Sequence, residues 1–292
     1  MKVLMIHGIG QQAVTADKLK DTWTSALENA SPGILNNTSI GMAYYAKELA
    51  EWTKNNKPHG QPMGPGLEDT DASSSAELIF LTQSLQEVAN KNGISDSSIQ
   101  EIMNTQVNGA VAMDNFIYRR LVAIARAIES LSPAKGSILL RIIKQAYVYL
   151  NVNNATAAID NLVRPHLQNP PNIIISHSLG TVIAFKLLRE MAAKSPNLKI
   201  PTFITLGSPL GLNSVTKSLG PPLRKPNNVS RWLNFYDPSD FVTLGKSLEK
   251  PTFEGEIENF GNIDNKTPNA HGVIGYLPDK GLITELKTAL SR

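Results

Sequence analysis

One stretch constrains this chain more than any other: Asn172-Ile173-Ile174-Ile175-Ser176-His177-Ser178-Leu179-Gly180-Thr181. Its run of branched apolar residues suits a buried parallel strand. From Thr181 to about Lys194, Val182, Phe185, Leu188 and Met191 recur at helical spacing. Only a tight turn separates the two elements, so the chain must pass from strand to helix through strained backbone flanked by small residues. Ser178, in the middle, is expected at the strained position with its hydroxyl above the sheet end. A serine among small residues is by itself a weak pattern, and the strand before it and the helix after it give it weight. In the G-x-S-x-G pattern of such turns, Gly180 holds the second glycine position and Ser176 replaces the first.

The remaining pattern alternates strands with helices. Val3 to Ile6 reads as a first strand, ended by His7-Gly8-Ile9-Gly10, and Leu19, Trp23, Ala26 and Leu27 follow at helical spacing. Ser39 to Ala46 reads as a second strand, and Thr202 to Leu206, Arg231 to Tyr236 and a weaker segment near Thr252 to Phe260 as later ones. A short helix over Thr284 to Leu290 closes the chain. Alternation of this kind implies right-handed crossovers and an α/β protein with a mainly parallel sheet flanked by helices. Between residues 47 and 135 the pattern changes to a Pro/Gly-rich stretch, Lys57 to Leu67, and then helical segments without a convincing strand. The expected organisation is a core of residues 1–46 and 136–292 with 47–135 inserted as a helical cap or lid. Within the insertion Ile117, Leu121, Ile124, Ile128 and Leu131 form one apolar stripe. Arg119, Arg120 and Arg126 lie opposite, suiting either a solvated basic face or, less readily, contact with anionic lipid. A further helix is expected from Ser137 to Leu150.

Composition narrows the chemistry. With no cysteine among 292 residues, thiol nucleophiles, disulfides and thiolate metal sites are excluded. A net charge of +3 is too small and dispersed for a nucleic-acid footprint. No window approaches the roughly 18 apolar residues of a spanning helix, and His7 and Gly8 interrupt the first apolar run, so a cytoplasmic protein is expected.

A serine needs a base, and the base an orienting acid. Of five histidines, His7 and His177 belong to turns and read as packing or loop-shaping residues. His59 lies in the Pro/Gly stretch and His166 at the end of a helical segment. His271, in the late loop Asn269-Ala270-His271-Gly272, is the expected general base. For the acid, Asn234-Phe235-Tyr236-Asp237-Pro238-Ser239-Asp240-Phe241-Val242 offers two carboxylates. Asp240, followed by Phe241-Val242, is preferred over Asp237, whose place before a proline suits turn capping. Asp264 is a third choice. The order Ser178, Asp240, His271 is that of α/β-hydrolases. The backbone N–H groups of Ile9 and Leu179 would form a two-donor oxyanion hole. A dinucleotide reading of the first loop fails because it lacks the third glycine.

Taken together, VLMIHGIGQQ, IIISHSLGTVIAF, ITLGSPLG, WLNFYDPSDFV and NAHGVIGYL resemble the α/β-hydrolase superfamily, narrowly its lipase- and esterase-like members that lack the first two strands. The resemblance covers roughly residues 1–45 and 137–292. It implies Ser178 as nucleophile, His271 as base, Asp240 as acid, and Ile9 and Leu179 as oxyanion donors. No cofactor and no metal are expected, and an apolar cap over such a serine suits a small or lipid-like ester, although the resemblance carries no substrate preference. Ser176 departs from the pattern, and nothing carries over to the insertion. Thioester or amide cleavage on the same site, and a non-catalytic binding protein retaining the fold, are the alternatives.

Overall fold

A computed structural model describes residues 1–55, 75–105, 116–131, 135–195, 197–267 and 270–291. The chain opens with β1 (Lys2–Ile6), α1 (Ala16–Ala30), β2 (Ser39–Ala43) and α2 (Ala46–Asn55). Five helices follow: α3 (Ser75–Lys91), α4 (Asp96–Thr105), α5 (Phe116–Leu131), α6 (Lys135–Asn151) and α7 (Asn153–Gln168). Then come β3 (Ile173–His177), α8 (Leu179–Lys194), β4 (Ile200–Leu206), α9 (Asn213–Leu219) and β5 (Val229–Phe235). The described chain ends with β6 (Glu258–Phe260), α10 (Val273–Tyr276) and α11 (Lys280–Leu290).

The six strands form one sheet in the order β2-β1-β3-β4-β5-β6, every pairing parallel. Side chains alternate across a strand, so each strand feeds both faces. Val3, Met5, Ile173, Ile175, Ile204 and Leu233 point to one side, where Leu19, Trp23 and Leu27 of α1 and Leu282 and Leu286 of α11 cover them. Leu4, Ile6, Ile174 and Phe203 point to the other, into a larger cluster with α2 to α9. This division follows from handedness. The chain steps one way from β1 to β2 and the opposite way from β2 to β3 and beyond, and right-handed crossovers then place the connecting helices on opposite faces.

Local chemistry adjusts several element bounds. The second strand stops at Ala43, because Tyr45 already accepts the first helical bond from Leu49 N–H (3.0 Å) and Ala46 to Leu49 are good helix formers. The weak late strand shrinks to Glu258–Phe260: the N–H groups of Thr252 and Phe253 turn back to the Glu249 carbonyl (3.1 and 3.0 Å), and Gly255 stands at φ 94°. Helix α9, seven residues long, is too short for periodicity to reveal.

Of the stripe read on α5, Leu121, Ile124 and Ile128 are buried in the larger cluster, while Leu131 is 54 % exposed. Two of its three arginines are tied inside the helical layer. Arg119 donates to the Met103 carbonyl (3.0 Å), and Arg120 to Gln86 Oε1 and Asp96 Oδ1 (2.7 Å each). Among the described residues no helix is long and apolar enough to cross a membrane.

Candidate active site

The direction of connection reverses between β1 and β3, and the crevice at the carboxyl ends of two such strands is where open parallel sheets bind ligands. Ile6 pairs with Ser176, so the two strands end side by side and release Gly8 and Ser178 next to one another. Ser178 adopts φ 52°, ψ −128°, the strained turn expected between β3 and α8. Its N–H donates to the Leu206 carbonyl (3.0 Å), which pins the turn to β4. The crossing is tight enough to require glycines. A Cβ on Gly180 would fall on the Ile6 and His7 carbonyls, and one on Gly8 would lie 2.8 Å from Ser178 Cβ. Ser176, in the position of the absent glycine, turns its hydroxyl to the Ile204 carbonyl (2.9 Å) within the sheet and so fits without strain.

Ser178 Oγ lies 2.9 Å from His271 Nε2, and His271 Nδ1 lies 2.8 Å from Asp240 Oδ2. A carboxylate can only accept, so Nδ1 carries the proton and Nε2 is free to accept from the serine hydroxyl. All three side chains are buried, Ser178 and Asp240 each 1 % exposed and His271 6 %. Asp240 Oδ1 also accepts Val242 N–H (2.9 Å).

Asp237 is held apart from this line. Its Oδ1 accepts Ser239 N–H and its Oδ2 accepts Asn265 N–H, both at 2.6 Å, joining the loop after β5 to the loop that precedes His271. Asp264 is exposed and pairs with Lys266.

The other histidines occupy separate places. His7 is fully buried, stacked on Tyr45 at 4.1 Å, donating from Nδ1 to the Gly8 carbonyl (2.6 Å) and accepting Tyr45 N–H at Nε2 (3.1 Å). Burial outweighs that carbonyl bond and lowers its pKa to about 4. His177 donates from Nε2 to the His271 carbonyl (2.7 Å), its ring 4.8 Å from the His271 ring. Burial, reinforced by His271, holds it well below the usual histidine value, so it braces the loop as a neutral group. His166 is half-buried and lies away from the crevice; His59 lies outside the described residues.

Three supports were not legible in the sequence. Tyr276 donates its hydroxyl to Asp240 Oδ2 (2.7 Å), and burial followed by the Asp240 charge raises its pKa far enough to keep it a donor. Gly207, at φ 55°, leaves the space that Asp240 and His271 occupy: a Cβ there would lie 3.1 Å from Asp240 Oδ2 and 3.2 Å from His271 Nδ1. The only available signal was a glycine directly after a strand. Thr181 and Ser208 share a hydroxyl bond (2.7 Å) beneath the turn.

Leu179 opens α8, so its N–H has no acceptor within the helix and sits at the positive end of the helix dipole. The N–H of Ile9 makes no hydrogen bond among the described residues. A cavity of about 220 Å³ opens on Ser178, His271, Ile9 and Gln11. Helix α6 contributes Ile138, Arg141 and Ile142 to its lining, and no described residue between 47 and 131 lines it. Residues 56–74, 106–115 and 132–134 of the expected cap lie outside the described residues. Among the described residues no three His, Asp or Glu side chains gather as a metal ion would need. No protein-family model, curated protein or solved structure matches the chain.

Proposed function

We propose that this chain is a serine hydrolase of the α/β-hydrolase type that cleaves a carboxylic ester through an acyl-enzyme. The observation that carries the reading is the hydrogen-bonded line from Ser178 Oγ through His271 to Asp240 Oδ2, at 2.9 and 2.8 Å, beneath a cavity. In this reading the sheet corresponds to that fold without its first two strands.

Ser178 Oγ attacks the ester carbonyl as His271 Nε2 takes its proton. Asp240 holds the imidazole in the Nδ1–H tautomer and stabilises the imidazolium. The N–H groups of Ile9 and Leu179 receive the charge that develops on the carbonyl oxygen, a contribution of about 3 kcal/mol per donor in such sites. His271 then gives its proton to the leaving alcohol, and a water activated by the same nitrogen releases the acid. A fluorophosphonate probe tests the assignment: the wild type labels, and Ser178→Ala loses both labelling and turnover of 4-nitrophenyl butyrate. Undiminished labelling of the alanine variant would remove Ser178 from the role.

A further inference from the structure

Helix α6 presents Ile138, Arg141 and Ile142 to the cavity, positions that share one helical face by their spacing of three and four. Arg141 is the one formally charged side chain among the described residues lining the cavity, and no Asp or Glu joins it there. Several other arginines of the helical layer are occupied, Arg120 on Asp96, Arg164 on Glu190, and Arg189 on the Leu219 and Gly220 carbonyls, while Arg126, which makes no such bond among the described residues, does not line the cavity. Arg141, exposed, makes no hydrogen bond or ion pair among the described residues. Trp23 of α1, which also lines the cavity, keeps its indole N–H buried without an acceptor among the described residues. The three histidines of the lining add no carboxylate to balance the guanidinium, and His7 and His177 are neutral.

We infer that Arg141 selects the substrate, favouring short esters that carry an oxyanionic substituent, a carboxylate or a phosphate. This inference rests on the hydrolase reading of the same site. A guanidinium fork matches either group through paired N–H bonds, and Ile138 and Ile142 flank it with apolar surface for the connecting methylenes. The size agrees with a short ester, since about 220 Å³ is below the roughly 300–1,000 Å³ of pockets that enclose drug-sized ligands.

The test compares kcat/KM of the full chain for 4-nitrophenyl hemisuccinate, which is anionic, with that for 4-nitrophenyl butyrate, which is neutral and of similar length. In Arg141→Gln the ratio of the two falls about tenfold, and Arg141→Lys retains part of the preference. Succinate and inorganic phosphate, each added as competitor against butyrate, separate the two anions, and Arg141-dependent inhibition by either supports the inference. An unchanged ratio in Arg141→Gln, with butyrate hydrolysis intact, overturns it and leaves the hydrolase reading standing. If the wild type neither labels with fluorophosphonate nor turns over either ester, the hydrolase reading fails instead. Calorimetric titration with monomethyl succinate then decides the anion site: binding lost in Arg141→Gln supports it, and no binding by the wild type overturns it.

Discussion

Replacing Ser178 by glycine and by alanine separates the strain of the turn from its chemistry. Both variants lose the hydroxyl and its 2.9 Å contact with His271, so both are inactive and neither labels. They differ in the backbone. Alanine retains the conformation at φ 52°, ψ −128°, which costs a residue with a Cβ about 2 kcal/mol, within a range of about 1–3. Glycine relieves that strain. Against it stand about 0.7 kcal/mol of extra unfolded-chain entropy and about 0.8 kcal/mol for one buried methyl, Ser178 being 1 % exposed. The terms leave Ser178→Gly more stable than Ser178→Ala by about 0.5 kcal/mol. At an ordinary buried position the same exchange would cost about 1.5 kcal/mol, so the strain moves the balance by about 2. For a chain of 292 residues that displacement corresponds to about 3 °C in Tm. Equilibrium urea denaturation of the two variants, with equal m-values, reads the difference directly. A glycine variant about 1.5 kcal/mol less stable than the alanine variant would refute the argument, because the turn would then hold no strain for glycine to release.

Two further outcomes follow from the site. Asp240→Asn lowers kcat for 4-nitrophenyl butyrate by roughly 10³–10⁴-fold, through loss of the tautomer-fixing carboxylate, whereas Asp237→Asn leaves kcat within a few fold and costs about 1–3 kcal/mol in urea denaturation, since its carboxylate serves the Ser239 and Asn265 amides; equal loss of kcat in both variants would reject the division of roles. His7 has a folded pKa of about 4, below its unfolded value of 6.5, so the unfolded chain binds the extra proton between these values. Its contribution, of order 3 kcal/mol, is present above pH 6.5 and lost as pH falls towards 4, and His177 adds in the same direction. Urea denaturation at pH 7.5 and pH 5 should show the loss, and a smaller one in His7→Gln.

Sequence alone reached the local features. The apolar run Ile173 to Ile175, the helical spacing after Thr181 and the small residues between them specify a strand, a strained turn and a helix from neighbours a few positions apart. Alternation of such units carries the α/β class and the parallel sheet, because short crossovers leave few other arrangements. The same reasoning could rank Asp240 above Asp237 but could not separate them, since both follow one strand within four residues.

Tertiary structure separated them. Asp237 turns to Asn265, while Asp240 meets His271 and Tyr276, contacts 31 and 36 residues apart along the chain. The strand order β2-β1-β3, which sets Gly8 beside Ser178, likewise joins segments about 170 residues apart and leaves no periodic trace. The cavity wall illustrates the same limit. Periodicity marks Ile138 and Ile142 as apolar positions on a helix, but only tertiary packing brings them, with Arg141, to the cavity that Ser178 lines. Burial patterns record what each residue needs from its surroundings, and which distant residue supplies it is decided when the sheet order and crossovers bring the loops together.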